Sequence, residues 1–180
     1  MNSAGGSGGD ADQNGDGTFE TKGVTFEYNQ QMTFLPGKLS NFGILANYTQ
    51  VKSKMEYVLS TTAVGSATVT EDLVNLSPRS WNLSFYYDDG TFSARLSASQ
   101  RSSFVTRVPG QNNNDVEGKN KSTNVDMSFS YKISPKMDLT LEGVNLTNQP
   151  NDQFISRARN SSVVYHVTGR EFLVGARYKF

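Results

Sequence analysis

The sequence predicts an all-β fold: an antiparallel up-and-down sheet of about seven strands, the wall of a transmembrane β-barrel that these strands alone leave incomplete. Three observations predict it. Apolar residues recur with period two along most of the chain, the period of a strand and not of a helix. Tight turns alternate with long polar connections, the asymmetry of barrels whose short turns lie at one rim and whose long loops lie at the other. Aromatic residues make up 11% of the chain although apolar residues total only 36%. That combination is unlike a disordered chain, which is poor in aromatics.

The elements follow in order. Residues 1–17, "MNSAGGSGGDADQNGDG", read as a flexible Gly/Asp-rich extracellular loop or tail, and 18–180 as the barrel segment. Strands are expected over roughly 18–34, 39–55, 74–87, 91–107, 122–133, 138–148 and 163–180. The first two are separated by "LPGK" at 35–38, where Pro sets φ and Gly tolerates the bend. The third sets Trp81, Leu83, Phe85 and Tyr87 against Asn82, Ser84 and Tyr86. "DDG" at 88–90 turns the chain into the fourth, where Phe92, Ala94, Leu96, Ala98, Ser102 and Phe104 share one face. Gln100 departs from that face, which predicts a bulge or a position outside the bilayer. The fifth sets Val125, Met127, Phe129, Tyr131 and Ile133 against Asp126, Ser128, Ser130 and Lys132, and "SPKM" at 134–137 makes the next tight turn. The last sets Phe172, Val174, Ala176, Tyr178 and Phe180 against Arg177 and Lys179. Long polar connections are expected over roughly 56–72, 108–121 and 149–161.

Composition narrows the function classes. Seventeen basic residues balance seventeen acidic ones, so nothing favours nucleic acid as a partner. There is no cysteine, hence no disulfide and no thiolate metal site. No apolar run reaches the length of a membrane helix. The N-terminus has neither the basic nor the apolar region of a signal peptide, so an export signal is expected outside these residues.

A soluble antiparallel sandwich also alternates. Two features favour the membrane. The polar faces carry Arg95, Arg101, Asp126, Lys132, Arg177 and Lys179, as a wet lumen allows, and aromatics sit near the ends of the apolar faces, as interfacial girdles require. Phe180 is then expected at the inner rim and Arg170 near the outer headgroups.

Three stretches, "LVNLSPRSWNLSFYYDDGTFSARLSASQRSSF", "LTLEGVNLTNQP" and "YHVTGREFLVGARYKF", resemble the C-terminal barrel portion of TonB-dependent outer-membrane receptors. "KGVTFEYNQQMTFLPGKLSNFGILANYTQVKSK" resembles the strand pair before it. The resemblance implies a bacterial outer-membrane protein for energised uptake of a scarce nutrient, of the oligosaccharide or ferric siderophore class. The closing stretch is most similar to a subgroup associated with oligosaccharides. It also implies that Tyr178 and Phe180 form a signal read by the barrel-assembly machinery, and that TonB is met only through an N-terminal region absent here. The plug is absent too, so the segment is expected to transport nothing by itself. The alternative is a small self-contained outer-membrane barrel with a structural or adhesive role.

Asp10, Asp12, Asn14 and Asp16 match the start of a calcium loop, but the twelfth position is Thr21 instead of a bidentate Glu. A polar loop is the plainer reading, and no cofactor is expected. His166 is the only histidine, so a zinc site is not expected. It reads as a polar strand residue near the outer rim. No serine is singled out to join it in a hydrolytic triad, and no enzyme is expected.

Overall fold

The computed structural model describes residues 20–62 and 65–180. Residues 1–17, and with them the calcium-loop candidate, lie outside the described residues. The described residues form two antiparallel sheets. The larger contains β1 (Glu20–Gln31), β2 (Phe42–Thr62), β4 (Arg79–Asp88), β5 (Phe92–Arg101), β8 (Ser122–Ser134), β9 (Met137–Val144) and β12 (Glu171–Tyr178), in that order, with β3 (Gly65–Glu71) paired to the far end of β2. The smaller contains β6 (Phe104–Arg107), β7 (Glu117–Lys119), β10 (Asn151–Ile155) and β11 (Ser161–His166), ordered β11-β10-β7-β6. The all-β, antiparallel reading is what the structure shows. Among the described strands β1 and β12 are the two ends of the long path, and they do not pair with each other.

Period-two alternation and register together sort the side chains of the large sheet. Tyr28, Ala46, Leu83, Ala98 and Val125 stand opposite one another in one row across five strands. The next apolar row toward the tight turns runs through Ile44, Phe85, Leu96, Met127, Gly143 and Phe172, and the one after it through Phe42, Tyr87, Ala94, Phe129, Leu141 and Val174. Among the described residues nothing covers this face. Phe26 is 74% exposed, Phe85 50%, Leu96 49% and Val174 82%. Near the tight turns the aromatics touch in series: Phe42 and Tyr87 lie 4.9 Å apart edge to face, Tyr87 and Phe92 6.1 Å, and Phe92 and Phe129 6.3 Å. The intervening rows are polar. Asn82 donates to the Asn47 side chain at 2.9 Å, and Ser84 and Ser97 share a hydrogen bond of 2.8 Å. Gly43 belongs to this face because the Tyr86 ring lies over it; a Cβ there would sit 2.1 Å from a ring carbon.

The turn at 88–90 is held by its own carboxylates. Asp89 accepts from the backbone N–H of Thr91 and Phe92 at 2.9 and 2.8 Å, and Asp88 accepts from that of Gly90 at 2.8 Å. The Phe92 and Thr91 N–H groups hold the Asp89 carboxyl below its ordinary range. Pro135 and Lys136 alone link β8 to β9. The "LPGK" turn is wider than expected: β1 stops at Gln31, β2 starts at Phe42, and a 3₁₀ turn over Gly37–Asn41 lies between.

The largest departures concern the long connections, which are folded structure. Within the connection expected over 56–72, residues 56–62 extend β2 and Gly65–Glu71 pair back on it as β3. The strand expected over 91–107 breaks at Ser102–Ser103, and β6 leaves for the small sheet. Phe104, expected on the outward apolar face, is instead buried beneath Arg101, whose guanidinium carbon lies 3.7 Å from the ring centre. The strand expected over 163–180 divides likewise into β11 and β12. Residues 74–78 precede β4 as a loop, not as part of it. The small sheet has its own core of Val105, Val116 and Phe154, all within 2% of full burial, with Val74 and Val108 packed against it. Gly118 admits this core, since a Cβ there would lie 2.4 Å from the Phe154 ring.

The small sheet is tied to the β2–β3 hairpin by one ion pair. Arg157 Nε and Nη2 donate to the two carboxylate oxygens of Glu71 at 3.0 and 2.8 Å. The Arg157 hydrogen bonds, opposed by burial, hold the Glu71 carboxyl below its ordinary value of 4.5. A lowered folded-state value means that the stabilisation is fully present above pH 4.5 and is lost as pH falls through the folded value. Hydrogen-exchange protection factors around 154–160, taken against the intrinsic exchange rate at each pH, should therefore fall on acidification below that point. In Glu71→Gln the same protection should be lower at neutral pH and lose its acid step. Arg157→Ala should cost about 1–2 kcal/mol, because a charge-assisted pair is discounted for the partly exposed guanidinium. An acid step that survives Glu71→Gln would assign it to another group.

Candidate functional site

Where the polar face of the large sheet meets the small sheet, the two enclose a cleft of about 310 Å³. β5 and β8 supply Arg101 and Asn124; β7, β10 and β11 supply Lys119, Asn151, Asp152 and His166. Alternation explains the large-sheet members, since Arg101 and Asn124 share the polar parity of their strands. Arg101 is pinned in place: Nε donates to Ser77 Oγ at 2.5 Å and Nη2 to the Asn75 carbonyl at 2.6 Å. Asp152 accepts from Asn120 Nδ2 at 2.9 Å and from Ser162 Oγ at 3.4 Å. Gln149 accepts from the Thr123 N–H at 2.7 Å and donates to the Pro150 carbonyl at 3.0 Å.

"GVNLTN" builds the link beneath the cleft. Asn145 and Asn148 take positive φ, 56° and 53°, which Asn tolerates better than most residues. Asn145 then joins three segments. Its N–H donates to Asp126 Oδ1 at 2.8 Å, its side-chain amide donates to the Gly169 carbonyl at 2.8 Å, and its side-chain oxygen accepts from the Gln149 N–H at 2.7 Å. The polar-face Asp126 thereby orders the chain leaving β9.

Gln100 produces no bulge, and register is unbroken on both sides of it. It accepts from the Trp81 indole N–H at 2.5 Å and donates to Thr123 Oγ1 at 3.4 Å, which gives a polar residue partners at the end of an apolar row. His166 ends β11, in the small sheet, and lines the cleft with Arg101. Arg170 donates to the Leu146 carbonyl at 2.8 Å. Tyr178 ends β12, its ring 5.4 Å edge to face from that of Phe180, which lies just beyond the strand and is fully exposed. Both sit at the tight-turn end, where the Lys179 N–H donates to the Lys136 carbonyl at 2.8 Å. Lys132 donates to the Gly90 carbonyl at 2.7 Å at the same end. Among the described residues no group of His, Asp or Glu is arranged to hold a metal.

No family model matches the chain, and neither a curated protein nor a solved structure matches it.

Arg101 and His166 are legible in the sequence as separate polar strand residues that no local pattern joins. Lys119, Asn151 and Asp152 lie in stretches that look like solvated loop. The usable signal was the isolated apolar residues Val116 and Phe154 within those polar stretches. Apolar residues set singly in a polar loop mark a place where the loop folds back on itself.

Proposed function

We propose that this chain is the C-terminal barrel segment of a TonB-dependent receptor in the bacterial outer membrane, serving energised uptake of an oligosaccharide or ferric siderophore. The observation that carries this reading is the uncovered apolar face. Its rows cross five or more strands, and soluble monomers rarely expose apolar patches beyond a few hundred Å². Lipid is the environment that such a face suits. The aromatics at the tight-turn end and Phe26, Tyr48 and Trp81 toward the other match paired interfacial girdles. The packed loops at the far end match the long extracellular side.

Among the described strands β1 and β12 end the path without a second neighbour, which qualifies the activity. Unpaired backbone groups in hydrocarbon cost several kcal/mol each, so this wall needs further strands to close and moves nothing by itself. Tyr178 and Phe180 are the residues we assign to recognition by the barrel-assembly machinery. The closed receptor to which this segment belongs acts by binding and passage, not by catalysis.

Trp81 is the only tryptophan and lies in an apolar row between Tyr48 and Gln100. With the protein folded in detergent, its fluorescence should be strongly quenched by a brominated detergent and weakly by aqueous iodide. The opposite order, or a protein that stays soluble and monomeric without detergent, would refute the membrane assignment. A heat-modifiable, protease-resistant monomer formed in lipid vesicles by this chain alone would instead favour a small self-contained barrel.

A further inference from the structure

We infer that the cleft between the two sheets binds an acidic sugar, a polyhydroxylated ligand bearing one carboxylate or phosphate. This rests on the receptor reading above and deepens it by naming a ligand class. The argument is a count of partners. Arg101 and Lys119 bring two basic side chains to the cleft, and Asp152 brings one acidic one, an excess of one basic group. The anion is already engaged, by Asn120 and Ser162. Arg101 spends Nε and Nη2 on Ser77 and Asn75, which fixes its plane and leaves further N–H groups of its five. Among the described residues Lys119, Asn124, Asn151 and His166 make no side-chain hydrogen bond and no ion pair.

The unmet capacity is therefore mainly that of donors, two of them charged. An anionic oxygen is the complement, and charge-assisted hydrogen bonds to it are the strong ones. The two free amides each offer a donor and an acceptor, which suits hydroxyls that both give and take. No aromatic face is offered for stacking, since Phe104 is buried beneath Arg101. Specificity must come from charge and hydroxyls. The volume lies at the lower end of small-ligand sites, roughly 300–1,000 Å³, which suits one or two sugar rings.

His166 reports on this cleft without ambiguity, because its ring protons are the only imidazole signals in the chain. The full chain, folded in detergent, would be titrated by proton NMR with glucuronate, glucose 6-phosphate, glucose and inorganic phosphate. Glucuronate or glucose 6-phosphate should shift the His166 signals saturably, and which one binds tighter identifies the anion. Glucose and inorganic phosphate should each bind at least ten-fold more weakly. Lys119→Gln should weaken the preferred acidic sugar at least ten-fold, and Lys119→Arg should restore most of it. If Lys119→Gln fails to fold, Asn151→Ala, on the exposed edge of the cleft, should weaken it several-fold. Equal binding of glucose, equal binding of inorganic phosphate, unaltered binding in the folded variants, or no saturable shift with either acidic sugar would each overturn the inference. None of these results bears on Trp81 quenching, so the membrane assignment stands or falls separately.

Discussion

Phe154→Ala should cost about 3–5 kcal/mol, the range for truncating a fully buried phenylalanine, and should unfold the small sheet alone. Phe154 is 2% exposed and is the largest member of a core whose other fully buried residues are two valines. It contacts the site of Gly118, and the Arg157 guanidinium lies 5.4 Å from its ring centre. The large sheet does not depend on this core, because its strands are joined by backbone pairing along the whole path. Limited proteolysis of the variant should cut within 108–121 and 149–166 while the strands of the large sheet stay resistant. His166 should lose its cleft environment at the same time. Loss of the whole fold, or unchanged resistance in the loops, would show that the two sheets are not separate cooperative units.

On the proposed membrane reading, Leu96→Arg should destabilise the closed barrel to which this sheet belongs by about 2–4 kcal/mol, the range for a cation at the bilayer midplane. Leu96 is at mid-strand in β5, between Phe85 and Met127 in its row, and is half exposed. Ser97→Arg, one residue on, should be nearly neutral. The new guanidinium would stand on the polar face directly opposite Asp126, with Ser84 on its other side. The comparison isolates the face, since position along the strand barely changes. Urea unfolding of the full-length closed barrel in lipid, with each substitution in this segment, gives both values. Equal costs at the two positions would remove the basis for placing lipid against the Leu96 face.

Period-two alternation, read from "TFSARLSASQ", assigned Leu96 and Ser97 to opposite faces, and register in the structure carries the same division across the neighbouring strands. Such assignments are local. A strand points successive side chains to opposite sides whatever it pairs with, and a tight turn such as 88–90 leaves the chain nowhere to go but back beside itself. The next-neighbour order of the large sheet was legible for that reason. Local pattern could not tell where a strand leaves one sheet for another. Alternation runs on to Phe104, yet the chain departs at Ser102–Ser103 because Phe104 has a buried place under Arg101 and beside Gly118.

By itself, then, the sequence determined the all-β class, the antiparallel order of the seven-strand path and the two unlike faces of its sheet. All three follow from side-chain direction and turn length, which act over a few residues. The tertiary structure alone decided that the polar connections fold into a second sheet with a core of Val105, Val116 and Phe154. It alone joined Glu71 to Arg157, 86 residues further along, and brought Arg101, Lys119 and His166 to one cleft. These are contacts between segments far apart in sequence. Their free energy comes from burial and from paired charges that exist only once the segments meet, so no local period in the chain encodes them.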